Sequence, residues 1–275
     1  MEFFLERIAR SLYSEFGNNL NRHCLVFPSR RAGLYLVKYL SLLIEKPVWS
    51  PSVMTINELF RSRSALQHAG NEILLLELYR EYRKLREGAE SFDEFYFWGD
   101  MLLNDFDDVD KYLVDASQLF RNIHDLKLID HQFGGMTAEQ TEIIGRFWKN
   151  FNPAQVTTEK TAFTALWSIL DSLYTNFRKS LRDRNIAYEG MIFRDMAENY
   201  VDDYIVSSEY SMFHFIGFNA LNECEKAVMR GLKKAGKARF YWDYDISFIS
   251  DVSQNSAGFF LRDKLRIFGS DMPAD

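Results

Sequence analysis

Hydrophobic and polar positions follow two rhythms along this chain, and the changes between them mark out three zones. At the start, MEFFLERIARSLYSEF repeats its apolar positions at helical spacing, as an amphipathic helix does. Cys24 to Phe27 is then an unbroken apolar run, the pattern of a strand buried on both faces. After Pro28-Ser29 the helical spacing returns from Arg30 to Ile44, and a short extended piece around Val48 and Val53 is broken by Pro47 and Pro51. Residues 1–54 therefore read as a β-α-β opening.

From Thr55 the period becomes helical and stays so to about residue 205. Thr55-Ile56-Asn57-Glu58 is a capping box, and NEILLLELYREYRKLRE sets Ile73, Leu74, Leu78, Tyr82 and Leu85 along one face. SFDEFYFWGDMLLNDF, DASQLFRNIHDLKLI, TAEQTEIIGRFWKNF, KTAFTALWSILDSLYTNFRKSLRDR and EGMIFRDMAENYV continue it, with breaks at Gly134-Gly135 and Asn152-Pro153. No strand is expected within residues 55–205. In residues 206–275 the α/β character resumes: SMFHFIGF is an apolar run, NECEKAVMRGLKKAG a helix ended by Gly236, and KARFYWDYD an aromatic strand. An early strand can pair with a late one only if the intervening helices fold as a lobe of their own.

At 275 residues and 47% hydrophobic content the chain can bury a full core. Net charge is −6, so the overall field opposes nucleic acid, and any DNA contact needs a local basic patch. Cys24 and Cys224 are far apart and lack zinc spacing, which suits buried thiols in a reducing cytoplasm. Neither a signal peptide nor a run of roughly 18 apolar residues occurs, so a soluble, cytoplasmic protein without membrane contact is expected.

The strand, turn and helix of HCLVFPSRRAGLYLVKYL follow the order that holds nucleotides in P-loop proteins, where glycines and a Gly-Lys-Ser/Thr surround phosphate. Here no Gly-Lys-Ser/Thr is present. The core, insertion, core order resembles the first motor domain of superfamily 1 helicases. FPSRRAGLYLVKYL, WGDMLLNDFDDVDKYLVDASQLF, FIGFNALNECEKAV and ARFYWDYD resemble the N-terminal region of AddB-like proteins, the subunits of AddAB/RecBCD-type helicase-nucleases, especially the bacteroidete PD-(D/E)XK nuclease form.

That resemblance implies a RecA-like (P-loop NTPase-like) parallel sheet with a large inserted all-helical subdomain. It implies the boundaries 1–54, 55–205 and 206–275, the last resuming the core and starting a connection to domains further along. It also implies a role in double-strand break repair, with DNA (single-stranded or a duplex end) and an AddA-like active helicase-nuclease as partners. Exonuclease activity would belong to a C-terminal domain not in this chain. Leu25 to Gly33 occupies the phosphate loop's place, but Pro28-Ser29-Arg30-Arg31-Ala32 replaces its glycines. Gly217-Phe218-Asn219 stands where a motor carries its magnesium-binding Asp and water-activating Glu, and the first acids, Glu223 and Glu225, come only in the next helix. The segment is thus expected to be non-catalytic, without cofactor. A protein-only scaffold and an atypical nucleotide-binding domain are the alternatives.

Ser29, Arg30, Arg31, Thr55, Lys233 and Lys234 are the candidate phosphate or DNA contacts. Arg30 and Arg31 hold a phosphate at a helix N-terminus or pair with local acids. The string Lys226, Arg230, Lys233, Lys234, Lys237 and Arg239 faces a DNA backbone or is an ordinary exposed helix face. Asp100, Asp105, Asp107, Asp108, Asp110 and Asp115 lack a calcium loop's glycine and glutamate and read better as a solvated turn with N-caps. His23, His68, His124, His131 and His214 show no metal spacing and read as structural. Neither Asp243-Tyr244-Asp245 nor Tyr188-Glu189-Gly190 supplies the lysine of a nuclease site, and FYFW (95–98) and FYW (240–242) are base-stacking platforms or core. In the last segment, Phe259, Phe260, Leu265 and Phe268 form an apolar face expected to lack neighbours.

Overall fold

The computed structural model describes residues 3–121, 160–200, 202, 207–244 and 258–272. The helix expected over TAEQTEIIGRFWKNF, both breaks at Gly134-Gly135 and Asn152-Pro153, and His124, His131 and Asp245 lie outside them. The protein is α/β. By backbone contacts it divides into two units, one of Met1–Arg63, Met196–Leu221 and Glu225–Asp275, the other of Ser64–Asp195 and Asn222–Cys224.

In the first unit, helix α1 (Phe4–Phe16) and a 3₁₀ turn lead into β1 (His23–Phe27), α2 (Arg30–Leu43), β2 (Ser52–Thr55) and α3 (Ile56–Arg61). The later part supplies β5 (Met212–Ile216), α9 (Glu223–Lys234), β6 (Ala238–Tyr241) and α10 (Phe259–Phe268). The sheet order is β2-β1-β5-β6 and every pairing is parallel. All five residues of β1 are buried, as the apolar run requires of a strand with parallel neighbours on both edges.

Alternation along the strands sorts side chains into two layers. On one face Leu25, Phe27, Ile216 and Tyr241 meet Ile8 and Leu12 of α1 and Leu36 and Leu40 of α2. Gly33 makes the close docking of α2 possible, since a Cβ there would come within 2.7 Å of the Val53 side chain and 3.3 Å of Phe27. On the other face Phe215 and Phe240 stack at 5.5 Å, and Phe268 of α10 reaches Phe240 at 4.8 Å.

That seat corrects the expectation for the last segment. Phe268 is buried, its burial contributing about 2 kcal/mol. The Trp242 indole N–H donates to the Gly269 carbonyl at 2.5 Å, and the backbone N–H groups of Phe240 and Asp271 donate to the Asp271 carboxylate and the Phe240 carbonyl. Phe260 remains exposed. Gly236, in the left-handed region, ends α9 as expected, with the Gly236 and Lys237 N–H groups returning to the Lys233 and Leu232 carbonyls.

A buried polar chain crosses the α1 face of the sheet. His23 Nδ1 and His214 Nε2 meet at 2.8 Å, and His214 Nδ1 meets the Tyr241 hydroxyl at 3.1 Å. Beside it, Arg239 makes two hydrogen bonds to Glu15 and lies over the Phe16 ring at 5.2 Å. Burial, His23 and Arg239 together depress His214 to about 3. His23 also lies below the usual imidazole range, chiefly through burial.

The second unit contains β3 (Gln67–His68), α4 (Asn71–Leu85), α5 (Phe92–Lys111), α6 (Ala116–Arg121), α7 (Lys160–Asp183), β4 (Ile186–Ala187) and α8 (Glu189–Asp195). The β3-β4 pair corrects the all-helical expectation: two two-residue strands run parallel, with the Gln67 and Ala69 N–H groups donating to the Asn185 and Ala187 carbonyls. Strands this short leave no alternation to read. The buried stripe of α4 is Leu74, Leu75, Leu78 and Tyr82, whereas Ile73 is 47% exposed because it sits off that stripe.

The aspartate run is not a turn. Residues 100–110 lie inside α5, and of the run only Asp115 caps a helix start, accepting from the Gln118 N–H. Asp110 is fully buried and receives the Tyr174 and Tyr188 hydroxyls as well as Arg178 and Arg194, each at 3.2 Å. Two guanidinium groups and two hydroxyls compensate the buried charge and pin α5 to α7 and α8. Asp107 accepts from the Gly190 N–H at 2.5 Å, and Lys111 bridges Asp107 and Glu189 at 2.8 Å each.

Candidate functional site

The two strand-helix-strand crossovers of the sheet unit leave the β1 and β5 pair in opposite directions: β1 through α2 to β2, and β5 through α9 to β6. The carboxyl ends of β1 and β5 are therefore a topological switch point, where open α/β sheets form a ligand crevice. Two clefts flank α2 there.

The first, about 360 Å³, is bounded by Phe27, Ser29, Arg30, Val53, Thr55 and Glu58. It brings together Ser29, Arg30 and Thr55 from the sequence candidates. Arg30 is paired with Glu58, the alternative in which a local acid takes the arginine. The capping box forms as read: the Glu58 N–H donates to Thr55 Oγ1 at 3.2 Å, and the Thr55 N–H donates to Glu58 Oε2 at 2.8 Å. The Thr55 hydroxyl also donates to Glu58, so one carboxylate serves a helix cap and an arginine. The Thr55 N–H, then Arg30, hold Glu58 below the usual carboxylate range. Ser29 stands at the N-cap of α2 without making a cap hydrogen bond. Gly33 keeps an ordinary helical φ, and its missing side chain serves packing on Val53, not approach to phosphate.

The second cleft, about 400 Å³, lies between α1 and α2 over the ends of β5 and β6, and includes Phe3, Phe4, Tyr35, Tyr39, Gly217 and Asp243. Gly217 takes φ +72°, a left-handed conformation that glycine accommodates without strain, and its N–H extends the ladder to the Tyr241 carbonyl. Phe218 is buried, and Asn219 is exposed. The Phe218 carbonyl faces the buried Lys264 ammonium at 3.4 Å, which also lies over the Trp242 ring at 5.3 Å. Burial and nearby Lys226 pull Lys264 down to about 8. A lysine thus faces the loop that follows β5, and its charge opposes a divalent cation there.

Lys233 and Lys234 are not part of either cleft. Both close α9 at its C-terminal end, where it descends to the amino edge of β6, and Lys233 donates to the Ile267 carbonyl. A helix of 12 residues carries them ~18 Å from the carboxyl edge that holds Arg30 and Arg31. The basic string is also not one face: Lys226 is buried, and Arg239 is bonded to Glu15. Arg31 is exposed, with its guanidinium 6.0 Å from the Tyr35 ring.

Of the remaining candidates, His23 and His214 are buried and structural, and Phe240, Tyr241 and Trp242 are core. In FYFW, Phe95 is core while Tyr96 and Phe97 face solvent. No group of three or more metal-ligating side chains comes together among the described residues. Sequence reading missed Glu58 as the partner of Arg30, although the capping box had already fixed its carboxylate beside Thr55. It also missed the aromatic cleft, whose members are drawn from four separate stretches. No helix among the described residues is long and apolar enough to cross a membrane. No protein-family model matches the chain, and no curated protein matches it.

Proposed function

We propose that the chain is the N-terminal, ATPase-silent, RecA-like region of an AddB-like helicase-nuclease subunit, with its helical segment inserted between the two parts of that core. In this reading it acts in double-strand break repair and recombination, as a scaffold that contacts DNA and an AddA-like motor partner. Any nuclease chemistry of the subunit belongs to a further domain. The observation that carries the reading is the loop from β1 to α2. It stands at the switch point of a parallel sheet, yet its arginine is tied to Glu58, its glycine is spent on packing, and Lys264 faces the opposing loop. The order of elements supports a motor fold, and the side chains at its edge do not supply motor chemistry.

DNA contact is assigned to Ser29 and Arg31 with Thr55 beside them. Purified protein given magnesium, ATP and single-stranded DNA is expected to hydrolyse ATP at background rate. It should bind the DNA with an affinity that falls as salt rises, and more weakly after Arg31→Ala. Turnover that disappears with Arg30→Ala or Arg31→Ala would overturn the first expectation.

A second reading, a scaffold that touches protein only, draws support from exposed apolar side chains beside the same cleft. Leu34 and Val37, which line it, are 71% and 37% exposed. Absence of DNA binding at low salt would select it.

A further inference from the structure

We propose that the cleft between α1 and α2 receives a basic side chain, an arginine guanidinium or lysine ammonium, presented by a partner polypeptide. The proposal rests on the partner-binding half of the function above and is independent of DNA contact. Phe3, Phe4, Tyr35 and Tyr39 contribute four aromatic rings to the cleft. The faces of such rings are electronegative and attract a cation placed within ~6 Å of the centroid. The chain already uses this chemistry at the cleft's margin, where Arg31 lies 6.0 Å over Tyr35.

Asp243 supplies the complementary charge. It is exposed at the end of β6, lines the cleft, and makes no hydrogen bond or ion pair with any described residue. Gly217 contributes bare backbone to the cleft, where a Cβ would meet only Phe4, at 3.6 Å. A carboxylate joined to aromatic walls favours an organic cation. Phe3 and Tyr35 are 66% and 44% exposed, so the cleft is open on one side. Such a shape suits a side chain whose backbone stays outside better than a small molecule that must be enclosed. The net charge of −6 favours encounter with a basic partner.

The test is a titration of the isotope-labelled chain with acetyl-Gly-Arg-Gly-amide, followed through the Gly217 and Asp243 amides and the Tyr35 and Tyr39 ring signals. The arginine peptide is expected to shift these signals saturably, the neutral twin with citrulline to leave them in place, and Asp243→Asn to weaken binding by about five-fold. Tyr35→Leu should weaken it similarly while Asp243 remains. Equal binding of the citrulline peptide, no response to the arginine peptide, or no effect of Asp243→Asn would overturn the proposal. So would tighter binding of AMP, pointing to a nucleotide, or of spermidine, pointing to a free polyamine, at the same signals. The DNA reading is measured separately, through Arg31→Ala and the salt dependence of DNA binding, so either can fail alone.

Discussion

Acid should unlock the sheet unit through His214. The imidazole lies between His23 and the Tyr241 hydroxyl inside the α1 face, and its folded-state pKa is held at about 3 by burial, His23 and Arg239. The unfolded chain takes up the same proton near pH 6.5. Between those values the unfolded state binds the proton and the native state does not, so stability falls as pH falls, and the loss is complete only below about pH 3. Each pH unit within the window is worth about 1.4 kcal/mol per histidine, so the step from pH 6.5 to 5 removes about 2 kcal/mol through His214 alone. His23, shifted the same way, adds to it.

Urea unfolding read through the β1 and β5 amides at pH 7, 6 and 5 isolates this unit. The His214→Asn variant starts less stable at pH 7, because it weakens the bonds to His23 and Tyr241, but loses less stability on acidification. Equal losses in the two proteins, or an NMR titration of His214 near pH 6.5, would refute the reasoning.

In the helical unit, Gly190→Ala places a Cβ 2.3 Å from the Asp107 carbonyl oxygen, a backbone atom that cannot swing aside. It should cost about 3 kcal/mol in urea unfolding, and a cost below 1 kcal/mol would mean the two segments can separate freely. Asp110→Ala leaves Arg178 and Arg194 buried without their carboxylate and should cost about 4 kcal/mol, seen as a large drop in the thermal midpoint; a near-neutral result would remove the hub's role. Glu58→Gln can preserve the capping box while freeing Arg30, so α3 should persist in NMR shifts. Single-stranded DNA binding by anisotropy should then steepen by about 0.7 in its log-log salt slope, and an unchanged slope would exclude Arg30 from the contact.

Much of the sheet unit was legible in the sequence. The short apolar run before Pro28-Ser29 read as a strand buried on both faces, as β1 is, and Thr55 with Glu58 specified a helix start that formed with its reciprocal bonds. Local chemistry failed where tertiary contact decided the outcome. Lys226 shares a helical stripe with Lys233 and Lys234 in the sequence, yet one end of α9 is buried and the other is not. The aspartates of α5 look like a solvated stretch until Tyr174, Tyr188, Arg178 and Arg194 converge on Asp110 from far along the chain. Ile73 was misplaced because four apolar residues in succession, Ile73 to Leu76, blur a helical stripe. The first cleft was partly readable, since its loop is contiguous, but the Arg30 to Glu58 pair spans two helices.

The pairing of β1 with β5 sets a timetable for the ribosome. His23 and His214, neighbours across that pair, are 191 positions apart, so at 5–20 residues per second β5 is made roughly 10–40 seconds after β1. β2 follows β1 closely and can take one of its edges, while α1 and α2 can cover one face. The other edge of β1, in a run whose five residues all end up buried, waits open while the helical unit is synthesised. On a crowded polysome the first β5 to arrive can belong to a neighbouring nascent chain, and the same register would then join two molecules by exchange of a strand.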